Sequence, residues 1–133
     1  MKDEFAVALD KFVEKAKKEG TKRLRRAGTE AVKRIVVRTP VDSGCCRGNW
    51  RVAFGELDRT FDPNSLDKSG GKTISACSAR IKSAELGNDV FISNSTPYVE
   101  PLEYGFSRQR PEGMVRVTAE DIRGLLERGA FER

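Results

Sequence analysis

The residues that come nearest to a chemical motif are Gly70-Gly71-Lys72-Thr73. Runs of this kind end a phosphate-binding loop, in which backbone N–H groups cradle the phosphates and the lysine reaches them. The full pattern needs a glycine five residues before the Gly-Lys pair, and Leu66 stands there. It also needs a buried strand leading in, whereas Asp58 to Asp67 is polar. The segment therefore reads as a loop running into a helix. Histidine is absent, which removes the commonest general base and the commonest zinc ligand together. Cys45, Cys46 and Cys77 form an odd set without metal-ligand spacing, and they read as reduced, small apolar fillers. Glu100 and Glu103 are three apart and share a helix face, where carboxylates normally meet solvent. Asn94-Ser95-Thr96 fits a glycosylation sequon, but the charged start Met1-Lys2-Asp3-Glu4-Phe5 has no apolar signal region, so export is not expected. No nucleophile stands beside a base, and neither catalysis nor a cofactor nor a metal is expected.

Elements must position whatever these residues do. At 133 residues the chain has the length of one domain, 1–133. Hydrophobic residues make up 38% and charged residues 34%. That leaves a modest core and much surface that is charged or committed to partners. No apolar run reaches the roughly 18 residues of a membrane span. Phe5, Leu9, Phe12, Ala16, Gly20, Leu24, Ala27, Ala31 and Ile35 recur in steps of three or four, the stripe of an amphipathic helix. The pattern predicts one long helix over 1–38, about 55 Å at about 1.5 Å per residue, with Gly20 and Gly28 as weak points. Thr39-Pro40 ends it, because a residue before proline avoids the α region.

Beyond that corner, Trp50 to Phe54 alternates as a strand does. Residues 58–71 are polar and rich in turn formers, an exposed loop of the kind that is functional or orders on binding. Thr73 to Leu86 returns to helical spacing and closes at Gly87, and Val90 to Ser93 is a short strand. A turn or two of helix around Tyr98 and Leu102, an irregular basic stretch from Phe106 to Gly113, and a closing helix capped by Thr118 complete the chain. Met114 to Val117 fits either strand or helix. The expected class is α+β, a long N-terminal helix with a small antiparallel or mixed sheet and further helices on it.

Charge is unevenly placed. Residues 1–40 hold 12 Lys+Arg against 6 Asp+Glu, a balance of +6, and residues 41–133 hold 13 against 14, a balance of −1. The positive excess is densest at Lys17, Lys18, Lys22, Arg23, Arg25 and Arg26. Such a stripe faces nucleic acid or an acidic protein, or is simply the solvated side of a helix. A small basic DNA-binding protein is accordingly a second expectation, although no groove-reading motif accompanies the stripe.

Two stretches resemble a known pattern. Thr39-Pro40-Val41-Asp42-Ser43-Gly44 with Gly48-Asn49-Trp50 is similar to the first signature of the tail-completion or minor tail proteins of tailed phages, the siphophage tail-component-Z type. Ile92-Ser93-Asn94, Pro97-Tyr98-Val99, Leu102-Glu103-Tyr104-Gly105, Gln109, Pro111 and Gly113-Met114-Val115 are similar to its second. The resemblance spans Thr39 to Val117. Cys45-Cys46 stands where the family usually carries a basic and a small or apolar residue, and Ser43 replaces its usual threonine. These are residues that shape a backbone, with direct partner contact as the other reading. The resemblance implies a structural virion protein made in the host bacterial cytoplasm and placed at the tail neck. Relatives of this kind form homo-oligomeric rings, often sixfold, beside terminator, tube and head-tail connector proteins. A tail terminator or head-side adaptor is the neighbouring assignment. In such a ring the stripe at 17–26 faces an acidic neighbour or DNA in the lumen.

Overall fold

The computed structural model describes residues 7–8, 20–85, 87–97, 99–104 and 113–132. In chain order these form strand β1 (Val7–Ala8), helix α1 (Thr21–Arg38), a 3-10 turn (Arg47–Asn49), strand β2 (Trp50–Phe54), helix α2 (Gly71–Ile81), strand β3 (Val90–Asn94), short helix α3 (Val99–Glu103) and helix α4 (Val115–Glu127). The fold is α+β. The sheet is antiparallel throughout, in the order β1-β3-β2, with Trp50 opposite Asn94 and Val52 opposite Ile92.

The N-terminal helix is shorter than its periodicity predicts. Gly20 has φ +126° and stands just outside α1, a conformation that no right-handed helix can include. Val7 and Ala8 pair with Ile92 and Phe91 as a strand. A continuous helix over 1–38 is therefore corrected to the 18 residues Thr21–Arg38. The spacing of three and four did not reveal the strand because Val7 and Ala8 are not among its steps; Phe5, Leu9, Phe12 and Ala16 lie outside the described residues. Lys17 and Lys18 lie outside the described residues.

Inside α1 the stripe holds. Leu24, Ala27, Gly28, Ala31, Val32, Ile35 and Val36 are all buried, and the core they start is completed by Trp50, Val52, Cys77, Ile81, Val90, Ile92, Met114 and Ile122. Gly28 is a packing residue. A Cβ there would come within 2.9 Å of Ile81 Cδ1, so α1 and α2 meet as closely as they do only because position 28 is bare. Arg34 and Arg38 reach across to Asp121 of α4. Burial pushes the Asp121 carboxyl up, but its bonds to Arg38 and Arg34 outweigh that and hold it below the usual carboxylate range.

Helix α4 starts at Val115, three residues before the expected cap. Thr118 is buried within it and its hydroxyl accepts a bond from Arg38 at 3.2 Å. The true cap comes from elsewhere in the chain. No helix among the described residues is long and apolar enough to cross a membrane.

Candidate functional site

The corner after α1 is built from the first block of motif residues. Thr39 takes an extended conformation ahead of Pro40. Its hydroxyl donates to Ile35 O at 2.7 Å and accepts from Trp50 Nε1 at 2.8 Å. The buried indole thus has the partner it needs. Arg47 clamps the same corner, donating to Val37 O, Thr39 O and Lys68 O at 2.7–2.8 Å. Ser43 Oγ accepts from Cys45 N at 3.2 Å, while Asp42 is exposed. Gly44 has φ +89°, and a Cβ there would lie 2.6 Å from Lys68 N. At Gly48 a Cβ would lie 2.1 Å from Ser65 O. Both glycines are required because the loop after β2 folds back onto this corner.

That loop, residues 58–71, is exposed along much of its length yet stitched down. Asn49 donates to Asp62 O at 2.9 Å and accepts from Asp62 N at 2.8 Å, and Ser65 Oγ donates to Gly48 O at 2.7 Å. Asp67, almost fully buried, receives the N–H and hydroxyl of Thr73, each at 2.8 Å, and the N–H of Gly70 at 3.1 Å. Burial alone would raise the Asp67 carboxyl, but these bonds outweigh it and lower it. The first turn of α2 is therefore occupied by the chain's own carboxylate. Lys72 and Thr73 border a crevice of about 280 Å³ between this loop and α2. With Asp67 already on the N–H groups a phosphate would use, Gly70-Gly71-Lys72-Thr73 is a capped helix start.

The second block meets the first in space. Asn94 donates to Cys46 O at 2.8 Å and accepts from Thr96 N at 3.0 Å. Glu103 corrects the surface expectation outright. It is 3% exposed, and its Oε1 accepts from the N–H groups of Met114 and Val115 at 2.8 and 2.7 Å. Oε2 accepts from Arg116 N at 3.1 Å and Nε at 2.9 Å. One carboxylate thus caps α4 from eleven residues away, where the helix dipole favours a negative charge. Gly113 has φ +81°, and a Cβ there would lie 2.2 Å from Glu103 O. Met114 is fully buried, Leu102 packs half-buried on the core, and Pro97 is exposed. Tyr98, Gly105, Gln109 and Pro111 lie outside the described residues.

The three thiols are free and buried. Burial pushes Cys46 up to about 12, even with the Asn94 amide 3.7 Å from its sulfur, and Cys77 up to about 11. Both stay protonated near neutrality and are poor nucleophiles.

A different surface lies along α1. Lys22, Arg25, Arg26 and Lys33, joined by Lys82 after α2 and Phe131 near the C-terminus, line an open groove of about 730 Å³. Thr21, Thr29 and Glu30 also line it. Three of the cations singled out by sequence meet here, but Arg23 does not line the groove. Lys33 lay within the basic first segment without standing out, and Lys82, 60 positions from Lys22 in sequence, gave no signal at all. Comparison with protein-family models, with curated proteins and with solved structures finds no match to this chain.

Proposed function

We propose that this chain is a structural component of a tailed-phage virion, a tail-completion subunit of the neck that assembles with copies of itself into a ring and joins neighbouring neck and tail proteins. The reading rests on the resemblance of two blocks, and one observation supports it above the rest. Thr39 to Trp50 and Asn94 to Met114 interlock. Trp50 pairs with Asn94 across the sheet, Asn94 bonds the Cys46 carbonyl, and Glu103 holds the start of the helix at Met114. Residues that recur together across a structural family are expected to be those that build its subunit, and most of the described ones here turn their bonds inward. A ring of identical subunits needs head-to-tail contacts between unlike surfaces. The stitched loop and the outer side of α1 are the surfaces this fold offers for that purpose.

The test is the mass of the purified chain in solution, by light scattering, alone and mixed with tails assembled without it. A closed ring, or uptake onto one end of those tails, is expected. A monomer that ignores the tails at every concentration sinks the reading.

A further inference from the structure

We propose that the groove along α1 binds the phosphodiester backbone of a nucleic acid, independently of its sequence. Lys22, Arg25, Arg26, Lys33 and Lys82 converge on one depression, and among the described residues none of the five pairs with a carboxylate. Among the described residues the one acid lining the groove, Glu30, is held by Arg34 at 2.7 Å. Arg25 spends its Nε on Ala84 O at 2.9 Å, an uncharged acceptor that leaves its positive charge uncompensated.

This arrangement is unfavourable for the isolated chain. Lys22 and Arg26 stand at i and i+4, a spacing at which like charges repel. They also lie near the positive end of α1, whose first turn has no acidic residue. A bound polyanion removes both penalties. The spacing suits a repeating one, since Lys22, Arg26 and Lys33 lie about 6 and about 10 Å apart along the helix axis, with the Thr29 hydroxyl between them. Lysine, arginine and hydroxyl donors are the groups that hold phosphate oxygens without reading bases. Phe131 supplies one flat apolar wall of the kind on which a sugar or base rests. An acidic peptide would need its carboxylates matched to these positions, whereas a phosphate backbone presents a charge at every residue.

The experiment is a titration of the purified full chain into a labelled random-sequence DNA duplex at several salt concentrations, with polyglutamate as competitor. Four phosphate contacts give a slope of log K on log salt of about −3.6, so binding weakens roughly 100-fold between about 50 and 200 mM salt. Lys22→Glu with Lys33→Glu is expected to abolish binding. Arg59→Glu with Arg123→Glu, an equal charge change away from the groove, should leave most of it. If the groove pair fails to fold, Lys22→Gln with Lys33→Gln serves instead and should flatten the slope by about two. Absence of salt-dependent binding overturns the proposal, as does equal loss from both pairs. Polyglutamate displacing DNA at equal charge concentration overturns it too, in favour of an acidic protein. Ring formation itself is read separately, by the mass measurement.

Discussion

The corner that joins the two motif blocks and the groove along α1 are both dense in polar residues, yet they differ in how those residues are satisfied. At the corner, Thr39, Arg47, Asn49, Asn94 and Glu103 each hold two or more bonds to named partners within the chain. In the groove, five cations face, among the described residues, one carboxylate that is already engaged. The first pattern stabilises the fold and the second opposes it. A polar residue with every bond filled inside the chain explains the structure, and one left unfilled at a cost points outside it.

Breaking the corner should give the largest effects. Gly48→Ala drives a methyl into Ser65 O, and Gly113→Ala does the same to Glu103 O from a left-handed backbone. Each is expected to cost at least about 3 kcal/mol, read as a drop in the urea midpoint without a change of slope. Glu103→Ala strips the N–H groups of Met114, Val115 and Arg116 of their acceptor and should cost about 2–3 kcal/mol. A melting temperature unchanged by that substitution would show the cap to be ornamental.

Asp67→Asn adds a pH signature. The folded carboxyl is held below its unfolded value, about 3.9, so its contribution is present above that value and fades as pH falls through the folded one. The wild-type advantage over Asp67→Asn, about 1–2 kcal/mol at pH 7, should therefore shrink as pH falls below about 4. A gap that stayed constant from pH 7 to 2 would mean that charge plays no part.

The groove should respond least and with the opposite sign. Lys22→Glu puts an acid into the first turn of α1 and is expected to raise stability by about 0.3–0.5 kcal/mol, measurable as a small rise in melting temperature. Destabilisation by more than about 1 kcal/mol would erase the contrast between the two regions.

Much of the scaffold was legible in the sequence. The alternation of Trp50 to Phe54, the Thr39-Pro40 stop and the glycines before Lys72 each carry a local signal, and each element forms where that signal lies. What escaped depends on partners distant in sequence. Val7 and Ala8 are a strand because β3 offers an edge, which no periodicity announces. Glu103 reads as a surface acid until Gly113 turns the chain and brings Met114 beneath it. Of the groove, the part on α1 was visible as charge. Lys82 and Phe131 join it only through the docking of α2 and the C-terminal turn, so the concavity was not.

One bond of the corner also bears on when the protein can be finished. Asn94 reaches Cys46 across 48 positions, and the β2 strand has no described partner other than β3. Until the ribosome has released Asn94, therefore, Trp50 and Val52 have no described strand to join, while α2, made earlier, already offers α1 part of its cover. Contacts of such long range slow folding. The β2 strand of the nascent chain must stay unpaired until Asn94 arrives to close the corner.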